Sequence, residues 1–144
     1  MMPVHDVAKA FLLLEKQNEG DGLTNMKLQK LVYYAQGFFL AINDQPLFQE
    51  RIEAWTHGPV VPDLYHSYKG FGNGAIMPPD DFDVSAIGAE ESSLIEEVYE
   101  VLGQFSAWRL RNMTHEEPPW RDHEEYAEEI PQPELAAYFK TRLN

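Results

Sequence analysis

Apolar residues recur along this chain at two spacings, and most of them at the spacing of a helix. Val4, Val7, Ala8, Phe11 and Leu14 fall on one face of a helix over residues 4–17. Asn18-Glu19-Gly20-Asp21-Gly22 stops it, with two glycines among polar residues. Thr24 is placed to cap the next helix. From there Leu28, Leu31, Val32, Ala35, Phe38, Phe39 and Ile42 form one broad stripe without a slip of phase. A helix over 24–42 runs roughly 28 Å, the width of a small domain, which makes it the expected central element. Asn43-Asp44-Gln45-Pro46 ends it, because Pro46 has no N–H with which to continue.

The period changes at residues 51–55, where Arg-Ile-Glu-Ala-Trp alternates as a short half-buried strand does. His57-Gly58-Pro59-Val60-Val61-Pro62 then reads as a rigid turn into a helix at about 61–69, with Pro62 in its first turn. Residues 70–88 carry Gly70, Gly72, Gly74 and Pro78-Pro79 and read as a loop, with a short strand at 74–77 or 82–87 as a partner for 51–55. So long a connection is a natural place for partner contact. Leu94, Ile95, Val98, Val101, Leu102 and Phe105 mark a helix over 89–103, and Gly103 is placed for a left-handed end. Ser106 caps a short helix over 107–113. Thr114-His115-Glu116-Glu117 imitates a capping box, but Pro118 pushes Glu117 into an extended conformation. Pro118-Pro119 therefore opens a short turn through Arg121, and the polar residues 122–134 lead to a terminal helix bearing Leu135, Tyr138, Phe139 and Leu143. The pattern predicts a mainly α fold: one compact helical domain over 1–144, built around a long central helix (24–42), with a minor β element near 51–55.

Charge changes this picture more than composition does. The net charge is -13, and residues 1–72 hold 8 acids and 6 bases against 16 acids and 5 bases in 73–144. Phosphate backbones repel such a surface, which argues against direct nucleic-acid binding. A solvated acidic half keeps a chain soluble; it is also a complementary face for a basic partner. Without cysteine there is no disulfide, thiolate metal site or thiol nucleophile. No basic-then-apolar leader opens the chain and no apolar run is long enough to span a bilayer, so no membrane association and a cytoplasmic address are expected.

Enzyme templates find little to match. No G-x-G-x-x-G, P-loop or G-x-S-x-G elbow is present, and His5, His57, His66, His115 and His123 include no i, i+4 pair. Catalytic, cofactor-binding and metal residues are all assigned as none. The rival reading from this class is a metal-dependent hydrolase using His57, Asp63, His66, His115 and Glu116.

What stands out instead is three runs rich in aromatic, proline, glycine and polar residues. Thr24-Asn25-Met26-Lys27-Leu28-Gln29-Lys30-Leu31-Val32-Tyr33-Tyr34-Ala35-Gln36-Gly37 is the first. Glu53-Ala54-Trp55-Thr56-His57-Gly58-Pro59-Val60-Val61-Pro62 with Tyr65 is the second, and Thr114-His115-Glu116 with Pro118-Pro119-Trp120 the third. In this order they resemble the signature of the Panacea-domain, SocA-like antitoxin family, which includes phage-associated GepA-like proteins. The resemblance implies an antitoxin: a cytoplasmic protein without a cofactor that neutralises a cognate toxin by direct contact. It does not name the toxin, which differs among members; the acidic half points to a basic one. An adaptor that hands its partner to a protease is an alternative within the same class. The residues carried over as structural or partner-binding are Lys27, Gln29, Lys30, Tyr34, Gln36, Gly37, Trp55, His57, Gly58, Pro59, Val60, Pro62, Tyr65, His115, Glu116, Pro119 and Trp120. Trp108 stands near the third run, and it, Tyr33, Tyr34, Trp55 and Trp120 are expected mainly in the core.

Overall fold

The computed structural model describes residues 1–143. Its elements are α1 (Val4–Gln17), α2 (Asn25–Asn43), β1 (Glu53–Trp55), β2 (Gly58–Val60), α3 (Pro62–Tyr68), α4 (Ala89–Leu102), α5 (Ala107–His115), α6 (Pro118–Arg121) and α7 (Gln132–Lys140). Helix α2 is the axis, with α1, α4, α5, α7 and β2 all packed on it. Thr24 caps it by accepting the Lys27 N–H at 3.2 Å, and Asp44 ends it in the left-handed region at φ 56°. The fold is mainly helical with one small antiparallel sheet, as the periodicity predicts.

Burial around α2 exceeds a stripe. Leu28, Leu31, Val32, Tyr33, Tyr34 and Ala35 are all enclosed, and so are the polar Asn25, Gln29, Lys30 and Gln36. Ile42, the last member of the predicted stripe, is instead exposed, beside a shallow groove shared with Val98, Val101 and Leu102. Helix α7 packs along α2 as well. A Cβ at Gly37 would lie 2.2 Å from the Phe139 ring, so this glycine sets how closely α7 docks. Phe139 meets Tyr33 and Phe38 edge-on at centroid distances of 5.5 and 4.8 Å.

The β element differs from expectation in its partner. Residues 53–55 pair with 58–60 across a two-residue turn, Thr56-His57, with Trp55 opposite Gly58. The reversal needs Gly58 at φ 113°, a conformation that side-chain-bearing residues rarely adopt. A local hairpin closes at an entropic cost about 2 kcal/mol lower than a strand brought from residues 74–77 or 82–87. Ile76 N–H donates to the Leu23 carbonyl at 2.9 Å, while Val84–Ala86 form a single 3-10 turn capped by Asp83. The outer edge of β1 is taken by the acidic segment: Ala54 N–H donates to Glu128 O at 3.0 Å and Ile130 N–H to Ile52 O at 2.8 Å. Gly103 is right-handed at φ −63° rather than left-handed, and its N–H bonds back to Tyr99. Ser106 and Glu117 behave as predicted, the first capping α5 and the second extended before Pro118.

Candidate functional site

The polar residues of α2 divide by what they touch. Gln29 accepts the Val61 N–H at 2.9 Å and donates to Asn25, which donates in turn to the Tyr65 carbonyl. Gln36 accepts the Leu47 and Phe48 N–H groups and donates to the Phe48 carbonyl at 2.7 Å. Both side chains stand in for secondary structure, satisfying loop backbone that would otherwise be buried without partners. Lys27 likewise reaches the Gly103 carbonyl and ties α2 to the end of α4.

A turn further along, α2 meets a buried carboxylate. Tyr33 and Tyr34 donate to the two oxygens of Glu117 at 2.8 and 2.7 Å, and Arg142 approaches at 3.2 Å. Burial raises the Glu117 pKa, while the Tyr34 and Tyr33 donors and Arg142 pull it back. The phenols are pushed far up, first by burial and then by Glu117. Glu117 is the residue missed at the sequence level. It occupied the unassigned place before Pro118-Pro119, and its signal was the extended backbone that the proline forces there.

Lys30 is the contrasting case. Its side chain is 1% exposed, and its Nζ has one protein acceptor, the Pro59 carbonyl at 3.4 Å. Burial, then Arg111, lowers its pKa to about 7. Its stem runs between the hairpin and α5, where a Cβ at Gly58 would come 2.5 Å from Lys30 Cε and 2.9 Å from Thr114 Oγ1. Gly58 is thus required twice, by its φ and by the lysine beneath it. The His115 ring lies flat on Trp120 at 3.8 Å and 8°, and its buried Nε2 has no hydrogen-bond partner. Burial, then Arg111, Lys30 and His57, lower the His115 pKa. Trp120 donates to the Trp55 carbonyl at 2.7 Å, so the third run is bolted onto the second.

Above Lys30 an open groove of about 490 Å³ lies between α2, the hairpin, α3 and the turn that follows it. Asn25, Gln29, Lys30, Trp55, His57, Val60 and Tyr65 line it, with Trp55 and Tyr65 edge to face at 5.1 Å. His57, at its rim, accepts from Arg111 Nε at 3.3 Å, and Arg111 lies 4.4 Å over the ring of Trp108. Trp108 is 57% exposed, a correction to the expectation that it lies in the core. The amphipathic pattern around it is short, and Leu110 alone carries the inner face of α5 there.

The structure therefore gathers Lys30, Trp55, His57, Gly58, Pro59, Val60, Tyr65, His115 and Trp120 around one region. Tyr34, Gln36 and Gly37 lie on the part of α2 beyond it, Pro62 opens α3, and Pro119 is buried at the start of α6. Glu116 is exposed at the end of α5. Of the residues considered for a hydrolase, Asp63 and His66 sit on α3 and do not line the groove. Among the described residues no three His, Asp or Glu side chains are grouped to hold a metal ion. Among them also, no helix is long and apolar enough to cross a membrane.

Residues 28–121 match the family described as antitoxin SocA-like, Panacea domain. The chain is also similar to antitoxin SocA of Caulobacter vibrioides (strain NA1000 / CB15N), 34% identical over 132 residues. That match covers 78% of this chain and 66% of the relative's length. No solved structure matches. The chain belongs to the SocA-like, Panacea-domain antitoxin family.

Proposed function

We propose that this chain is a cytoplasmic antitoxin that neutralises a cognate toxin by direct contact, without a catalytic step or cofactor. Family membership supports the role, and Trp108 carries the proposed mode. A large aromatic side chain, exposed yet braced by Arg111 and through it by His57, is the kind of rigid anchor around which interface energy concentrates. Arg109, over the Phe105 ring at 5.0 Å, extends this cationic and aromatic face. Glu124, Glu125, Glu128 and Glu129 are all exposed, and their charge would speed encounter with a basic partner more than it would set affinity.

The test is growth rescue: the product of the adjacent gene is induced in a host with or without this chain. The intact chain should restore growth, and Trp108→Glu should not, while the stability of that variant stays within about 0.5 kcal/mol of the parent. Full rescue by a folded Trp108→Glu chain would move the interface elsewhere. Absence of rescue by the intact chain, with no complex recovered, would remove the antitoxin reading.

A further inference from the structure

In a chain of net charge -13, one groove is lined by Lys30, Lys69 and His57 and by no acid. Arg111 and His115 of α5 lie close enough to Lys30 to interact electrostatically, and His57, Tyr65 and Lys69 line the groove with it. Lys30 forms no ion pair among the described residues. Glu53, the hairpin's own carboxylate, is engaged by Arg51 at 2.6 Å and by the Trp55 indole N–H at 2.8 Å. Lys30 lines the groove, and its amine offers three donors but meets one distant carbonyl. Burying a lysine this deeply is costly unless something compensates its charge.

We propose that this groove is a recognition site for an acidic side chain of the partner protein, whose carboxylate is received by the Lys30 ammonium beside the Trp55–Tyr65 pair. This rests on the reading of the chain as a protein-binding antitoxin. The groove is open, so a free small acid would leave much of its surface in water, whereas a segment of a docked protein covers it. The site is also continuous with Trp108, through His57 and Arg111. A partner anchored on Trp108 would thus extend one acidic residue into the groove. The acidic outer face and the cationic groove are not in conflict: the first acts at a distance, the second on a single desolvated contact.

A carboxylate binds the charged amine, and Lys30 holds its proton only up to about pH 7. Between pH 7 and 9 the binding-competent fraction falls, and affinity should drop roughly fiftyfold. That window lies above the titration of His115, whose pKa burial lowers, which separates the two groups.

The experiment is an amide-shift titration of the whole chain with three probes: acetyl-Ala-Glu-Ala-amide, acetyl-Ala-Gln-Ala-amide and inorganic phosphate. The glutamate peptide should shift the Trp55 indole and Gly58 amide signals at pH 7, at least tenfold more tightly than the glutamine peptide or phosphate. It should lose that advantage by pH 9. Lys30→Met should abolish the preference, and Lys30→Arg should keep binding without the alkaline loss. The proposal is overturned if both peptides bind equally, if phosphate binds best, or if affinity is unchanged from pH 7 to 9. The pH series on the unaltered chain decides the matter even if neither variant folds. A failed titration beside intact growth rescue would sink this site and leave the antitoxin reading standing. Failed rescue beside a clear glutamate preference would do the reverse.

Discussion

One turn apart on the same helix, α2 buries two opposite charges in opposite ways. The carboxylate of Glu117 is surrounded by two phenols and a guanidinium, each within hydrogen-bond or ion-pair distance. The ammonium of Lys30 is enclosed just as fully and meets one carbonyl at 3.4 Å. A buried charge that is fully coordinated fixes its neighbours in place, and its removal leaves them unsatisfied. A buried charge that is barely coordinated holds little together and raises the energy of the resting state. The first arrangement reads as scaffold, joining α2, α6 and the C-terminal residues. The second is the observation on which the proposed carboxylate site rests.

Breaking the coordinated site should have the largest effect. Glu117→Ala leaves the Tyr33 and Tyr34 hydroxyls enclosed without an acceptor, and should cost about 3–5 kcal/mol. Urea melts would show it, and a loss below about 1 kcal/mol would mean the network is ornamental. Leu31→Ala supplies an apolar yardstick between the two sites. Leu31 is fully enclosed on α2, and its truncation should cost about 2–4 kcal/mol. Equal losses for Leu31→Ala and Glu117→Ala would show that α2 is held by packing and hydrogen bonding alike.

The smallest effect belongs to Lys30, and it has an unusual sign. An unfolded lysine keeps its proton to about pH 10.4, whereas folded Lys30 loses it near pH 7. Between those values the unfolded chain binds the extra proton, so raising the pH stabilises the fold. The gain from pH 7 to 9 should be on the order of 2 kcal/mol in urea melts. Below pH 7 the amine is charged in both states and the full penalty remains. Above pH 10 the slope reverses, because Tyr33 and Tyr34, pushed up by burial and then by Glu117, keep protons that unfolded tyrosines release. Lys30→Met should flatten the rise between pH 7 and 9. A parent chain with no rise there would mean that Lys30 is better solvated than its enclosure implies.

The helices were legible because apolar spacing and caps act locally: Thr24, Ser106 and Pro62 each stand at the helix start the sequence placed them at. The partner of β1 was not. Hairpin and long-range pairing leave the same alternating trace on residues 51–55, and the decision came from Gly58, whose φ no pattern states. Nor was the contrast between Lys30 and Glu117 readable, since Lys30 fits an ordinary helix surface and Glu117 an ordinary acidic loop. Trp108 misled in the other direction, because tryptophan in a helix is more often enclosed than bared. The resemblance to the family supplied the residues around the groove; it could not say which of them carry charge without a counter-charge.

The two-stranded sheet has one more property, which concerns how other chains can approach it. Residues 128–130 run along the outer side of β1, while Gln29 and Lys30 occupy the backbone of β2 and Val61, where Pro59 has no N–H to offer. Neither side is free to template a further strand. A partner therefore cannot be captured by zippering a generic backbone onto this sheet, a mode that tolerates almost any extended sequence. It has to be told apart by its side chains. A small scaffold can in that way remain selective, and resist joining its own copies, although it displays a hairpin at its surface.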